Sequence, residues 1–243
     1  MSGDPLAGPH QSAGGGRGEG VLEVRRLGRM PYAAAHALQE RLVGERLAGA
    51  VGDVLLLCEH DEVITVGRGA DASGLVVPGL EVISVERGGE ATYHGPGQLV
   101  AYPILLLPEG RRDLHRYLRD LEEVVIRVLA EVEVEGRREP GLTGVWVGPR
   151  KICSIGVAVR RWVAWHGFAL NLTTDLEAFS GFRPCGLDPE VMTRVADHTE
   201  LAPTRLLFEV LVVKHLCEVF GLRLPDPPPP AAPDPLALPI LPS

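Results

Sequence analysis

Cys185, Lys151 and the run Arg87-Gly88-Gly89-Glu90-Ala91-Thr92-Tyr93-His94-Gly95-Pro96-Gly97-Gln98 are the residues of this chain best equipped for chemistry. The run is a glycine-lined cradle: without side chains, Gly88-Gly89 and Gly95-Gly97 let backbone amides approach a ligand carbonyl or a developing oxyanion. Thr92, Tyr93 and His94, held between those turns, add groups that hydrogen-bond. Cys185 stands between Pro184 and Gly186, turn formers that place a thiol on a loop and not in the core. A free thiol has a pKa of about 8.5, so a nearby cation or base must supply the thiolate. Lys151 can do so as an ammonium that stabilises the anion or as an amine that takes the proton. The combination suggests acyl transfer through a cysteine thioester.

Lys151 stands out because only two of the 24 basic side chains are lysines, the other being Lys214. Where arginine is the default cation, a lysine fits a task that requires losing a proton near neutral pH. Lys214 falls in an expected helix and reads as a solvated surface residue. Strand alternation puts Lys151 and Cys153 on one face, which makes Cys153 a rival nucleophile, although its apolar strand suits a small core residue better. Ser154-Ile155-Gly156 continues that strand. Downstream, His166-Gly167-Phe168-Ala169 lies in another apolar strand, whose glycine leaves room for a ligand.

Composition bounds the remaining possibilities. A chain of 243 residues with 45% apolar content buries one sizeable core without a disulfide or metal. Cys58, Cys153, Cys185 and Cys217 show no zinc-ligand spacing, and reduced thiols are expected. The formal charge of −8 argues against broad nucleic-acid binding. An acidic partner would need a local basic patch, such as Arg111-Arg112 with Arg116 and Arg119, or Arg160-Arg161. No apolar stretch matches a secretion signal of about 7–15 residues or a membrane span of about 20, so a soluble cytoplasmic protein without membrane contact is expected.

These residues need elements to hold them. Residues 1–20 are Gly-rich and 225–243 Pro-rich, both read as flexible tails around a single folded unit over 21–224. Periodicity predicts helices over Tyr32–Leu47, over Arg112 to about Val134 with Leu114, Leu118, Leu121, Val125 and Val128 on one side, and over Thr204–Phe220 with Thr204 as cap. Strands are expected over Val54–Cys58, Val63–Val66, Leu80–Val85, Leu99–Leu107, Val145–Val147, Lys151–Val159 and Val163–Leu172. Strands without strict helix alternation and without an internal repeat point to an α+β fold with a mixed, largely antiparallel sheet.

Four segments in order, RGG-x-x-TYHGPGQLV-x-YPI, K-I-x-S-I-G-V, HGFALN and PCG, resemble the lipoyl(octanoyl) transferase family, with Cys185 lying 34 residues after Lys151. The likeness spans about Leu22 to Phe220 and extends to Leu57-Cys58-Glu59-His60 and Gly67-Arg68. Cys153, usually a small apolar residue in the family, and the Pro-rich tail depart from it. The resemblance implies the catalytic-domain fold of biotin and lipoate protein ligases and a two-step reaction. Cys185 takes an octanoyl group from acyl carrier protein, and a lysine of a lipoyl domain then receives it. The acceptors implied are the E2 subunits of 2-oxoacid dehydrogenases and the H protein of glycine cleavage. By the same resemblance Lys151 activates Cys185, while Arg87 to His94, Ser154 to Gly156 and Gly167 to Ala169 bind substrate.

Thioester exchange is nearly balanced in free energy and aminolysis of a thioester is downhill, so neither ATP nor a metal cofactor is expected. An ATP-dependent lipoate or biotin ligase is the nearest alternative, but the Gly/Arg run it would need stops short at Gly67-Arg68-Gly69-Ala70. A cysteine hydrolase with His94 or His166 as base and a non-catalytic binding module are the alternatives from other classes.

Overall fold

The computed structural model describes residues 20–70, 75 and 77–227, with Cys185 as backbone only. Residues 1–19 and 228–243, most of the two expected tails, lie outside the described residues. The larger sheet has seven strands, in spatial order β10 (Leu222–Arg223), β1 (Gly20–Met30), β2 (Asp53–His60), β6 (Gln98–Leu106), β9 (Val163–Asn171), β8 (Arg150–Arg160) and β7 (Val145–Val147). Among its strand pairs only β10/β1 and β1/β2 are parallel. A second sheet orders β4 (Glu81–Ser84), β3 (Val63–Val66) and β5 (Ala91–His94), and its β3/β4 pair is also parallel. The helices are α1 (Tyr32–Leu47), α2 (Leu114–Ala130) and α3 (Arg205–Phe220).

The apolar runs of β2, β6 and β9 are continuous because helices cover both faces of the large sheet. Leu55, Leu57, Leu99, Ala101, Phe168 and Leu170 point to one face, where α2 and α3 supply Leu121, Val125, Phe208 and Val212. Their neighbours Val54, Leu56, Val100, Ile104 and Ala169 point to the other, under Ala35, Leu42 and Val43 of α1. Such two-sided burial is the period-2 geometry of a strand expressed in packing. A third, smaller core joins Ile64 and Tyr93 of the small sheet to Phe179 and Phe182.

The expected helix ends hold for α1, and for α3 the Thr204 side chain accepts from the Leu207 amide at 3.4 Å, a cap of the kind that contributes about 1 kcal/mol. Helix α2 is shorter than its periodicity predicts. Asp113 accepts from the Arg116 amide and so fixes the start at Leu114, and the chain turns off after Ala130 towards Glu133, which has a φ of 59°. Its buried stripe runs through Tyr117, Leu121, Val124, Val125 and Val128, while Leu114 is 42% exposed and not part of it. Strand β1, eleven residues long, has no counterpart among the expected strands. No helix among the described residues is long and apolar enough to cross a membrane.

Candidate active site

The Arg87–Gly89 turn is held from two sides by backbone bonds. From the end of β3, the amides of Gly67, Arg68 and Gly69 donate to the carbonyls of Glu90, Arg87 and Gly89, and the Gly88 amide donates to Val157 of β8 at 2.9 Å. A Cβ on Gly67 would come within 2.4 Å of the Gly89 carbonyl, so this approach requires glycine there. The Gly88 amide, and that of Gly97, which donates to Glu59, are therefore engaged within the protein and are not oxyanion donors. In β5 the alternation sorts the motif: Thr92 and His94 face a cleft, while Ala91 and Tyr93 face the third core, where the Tyr93 hydroxyl donates to Glu62 at 3.0 Å.

The cleft opens where the large sheet fails to pair. Strands β6 and β9 pair at Ala101↔Phe168 and again at Leu105↔Ala164, but not between. Pro103, in the gap, has no N–H to donate. Opposite it, His166 has a φ of 56° and its amide donates instead to Gln39 of α1 at 3.1 Å. The resulting slot is narrow, with a free volume of about 40 Å³, and lies between Tyr32, the Arg87–Glu90 turn, Thr92, His94, Ser154–Gly156 and His166–Ala169. Eleven of the fourteen residues expected to bind substrate line it, Gly88, Ala91 and Tyr93 being the exceptions. Gly167 serves the sheet as much as the cleft, since a Cβ there would lie 2.1 Å from the Ala101 carbonyl oxygen. The Thr92 hydroxyl and both His166 ring nitrogens are buried without a hydrogen-bond partner.

A chain of buried hydrogen bonds leads from the turn to Lys151. Arg87 donates to Thr65 Oγ1 at 2.9 Å, and Thr65 Oγ1 lies 3.3 Å from His94 Nε2. His94 Nδ1 lies 2.9 Å from Gln98 Oε1, and Gln98 Nε2 donates to Asn171 Oδ1 at 2.9 Å. Asn171 Nδ2 donates to the Thr193 carbonyl at 3.0 Å, and the Thr193 amide donates to the Lys151 carbonyl at 2.9 Å. Gln98 Nε2 also donates to the Tyr93 carbonyl, which turns Oε1 towards His94. His94 then donates from Nδ1 and accepts at Nε2. Desolvation and the neighbouring His60 hold its pKa well below the usual imidazole range. A neutral imidazole with both nitrogens engaged is not placed to act as a hydrolase base. Gln98, Asn171 and Thr193 carry this chain; Gln98 closes the Arg87–Gln98 run and Asn171 ends the HGFALN motif, while no sequence signal pointed to Thr193.

Lys151 is buried, at 3% exposure, with Nζ over the Trp146 ring at 5.1 Å from its centroid. Its wall is built by Gly144, which has a φ of 133° and where a Cβ would lie 2.8 Å from Lys151 Cε. The Gly144 amide donates to Glu122, a fully buried carboxylate also held by Arg119 and Arg138. A bulge pairs Trp146 with Lys151 and Val145 with Cys153, so Ile152 and Cys153 both join the core and simple alternation fails there. Desolvation pushes the Cys153 thiol well above its ordinary pKa, which disfavours it as the nucleophile.

Cys185 sits in a single 3-10 turn, Pro184–Gly186, packed beside β5. Gly186, at a φ of 71°, lies so close to Glu90 that a Cβ would meet its carboxylate at 2.6 Å. Seven residues past Cys185, the same segment reaches Met192, which bridges to Lys151, and Thr193, which bonds it. The turn is thus tied at one end to the cleft and at the other to the lysine strand.

Residues 31–217 match the family model of the lipoyl protein ligase A/B catalytic domain. The octanoyltransferase of Syntrophotalea carbinolica is 46% identical over 204 residues, covering 84% of this chain and 97% of that protein. The octanoyltransferase of Gloeobacter violaceus is 54% identical over 201 residues, covering 81% and 89%. The chain is a member of the octanoyltransferase family. The crystal structure of a lipoate-protein ligase A bound with ATP superposes with a TM-score of 0.68 at 17% identity, covering 85% of this chain and 87% of that one. The family fold is therefore the α+β catalytic domain of lipoate and biotin protein ligases, as the motifs implied. Of the two arginine patches, Arg112 of one lies over the ring of Trp162, the residue after Arg161 of the other, at 5.8 Å, while Arg119 is paired with Glu122.

Proposed function

We propose that the enzyme transfers an octanoyl group from acyl carrier protein to a lipoyl-domain lysine by way of a thioester on Cys185. The Cys185 thiolate attacks the carbonyl of the incoming thioester. The carrier's thiolate leaves with a proton from Lys151, and an octanoyl-cysteine remains. The amine of the acceptor lysine then attacks this second thioester, an amide forms, and the cysteine thiolate departs as Lys151 takes up the amine's surplus proton. The acceptors are the lipoyl domains of 2-oxoacid dehydrogenase E2 subunits and the glycine cleavage H protein, in the cytoplasm.

The observation that carries this reading is the route of one backbone segment, which packs the Cys185 turn beside β5 and bonds Thr193 to the Lys151 carbonyl. The cleft reaches the turn through Glu90 and the lysine strand through Ser154, and its apolar wall of Val100, Ile155, Phe168 and Ala169 offers an acyl chain a surface to lie against. An ATP-dependent ligase would activate a free acid first. Intact-protein mass spectrometry after mixing the enzyme with octanoyl-acyl carrier protein distinguishes them: a single octanoyl adduct is expected without ATP, discharged by a lipoyl domain. Labelling only with ATP and free octanoate would sink the proposal.

A further inference from the structure

We propose that His36, Glu86 and His166 form a binding site for a late first-row divalent cation such as zinc. Their ligand atoms all lie within 4.8 Å of one another. His36 Nε2 is 3.0 Å from Glu86 Oε2, and His166 Nε2 is 3.8 Å from the same oxygen. Two imidazoles and a carboxylate are a donor set of borderline hardness that suits zinc and its neighbours, and three protein ligands leave a position for water.

Three further observations favour an ion over a plain ion pair. His166 is almost wholly buried, yet neither ring nitrogen has a hydrogen-bond partner, an arrangement that is costly unless something else meets them. Its ring is oriented by a left-handed backbone at a φ of 56°, by the Gln39 bond to its amide and by stacking on Trp165 at 4.1 Å. Such strain in a non-glycine residue clusters at ligand sites. Glu40, 3.8 Å from His36 Nδ1, adds a second carboxylate charge beside the three ligands, which favours a cation there. His36 and Glu86 are 20% and 40% exposed at the side chain, which leaves an entry path. The ion would tie α1 to β9 and to the residue preceding the Arg87 turn. It takes no part in the acyl transfer, and the inference stands whether or not that reading does.

The test uses the full chain carrying Cys185→Ala, which removes the loop thiol as a competing ligand. Equilibrium dialysis with zinc should give one bound ion per chain, and cobalt should give a visible spectrum without a sulfur charge-transfer band. Saturating zinc should raise the melting temperature by roughly 5 °C. His36→Ala and Glu86→Gln should each weaken binding by about 10-fold or more and abolish the thermal shift. No retained zinc, or retention unchanged in both variants, would overturn the proposal.

Discussion

Replacement of Cys185 by alanine is expected to abolish the octanoyl adduct, and replacement of Lys151 by alanine to slow its formation by about 10³-fold, within the range of a positioned proton-transfer group. Lys151→Arg should recover little of that rate. Arginine keeps its proton at every working pH, and Gly144 and Trp146 enclose the lysine too closely for a guanidinium. Cys153→Ala should acylate at the wild-type rate, because that thiol is fully buried and held protonated by desolvation. Rapid-quench mass spectrometry of the four variants checks all of this. An adduct that survives Cys185→Ala or disappears with Cys153→Ala would move the nucleophile, and a wild-type rate for Lys151→Arg would reduce Lys151 to a fixed charge.

Gly167→Ala should be among the most damaging single-methyl additions in the chain. The added carbon would meet the Ala101 carbonyl oxygen at 2.1 Å and Pro103 Cδ at 2.7 Å. One obstacle is backbone and the other a closed ring, so neither can rotate aside and the strands must separate. Overpacking of this kind costs about 2–3 kcal/mol, and the shift falls on the cleft wall, so acylation should fall with it. Urea unfolding should show a lower midpoint with an unchanged slope. Gly110→Ala, where a Cβ meets nothing within 4 Å, is the control. Equal midpoints for the two variants would contradict the packing described here.

Much of this architecture is legible in the chain. Tyr32–Leu47 and Arg205–Phe220 announce themselves by periodicity and, for the second, by the Thr204 cap. Strand β1 does not, because its surface carries Arg25, Arg26 and Arg29, each satisfied by an acidic partner, Glu23, Glu209 and Asp61; of these, Glu209 is 183 residues distant. In the site, the motif run points to the right stretch but not to its two faces, since β5 is a strand and sends Ala91 and Tyr93 away from the cleft. Gln98 and Asn171 meet across 73 positions, a distance at which spacing says nothing. The separation of β6 from β9 was equally hidden: Pro103 by itself suggests an edge, yet it lies mid-sheet with Gln39 answering for the missing bond.

The hydrogen-bond chain from Arg87 to Lys151 has a single sense, every donor handing on in the same direction. Its two amide side chains each accept on one side and donate on the other, and backbone carbonyls fix which end is which. A carboxylate at position 98 or 171 has no hydrogen to pass on and would set oxygen against oxygen in a dry interior. Positions that look like ordinary polar residues of a strand are therefore closed even to their nearest isosteres. Sequence drift in this protein has to route around them.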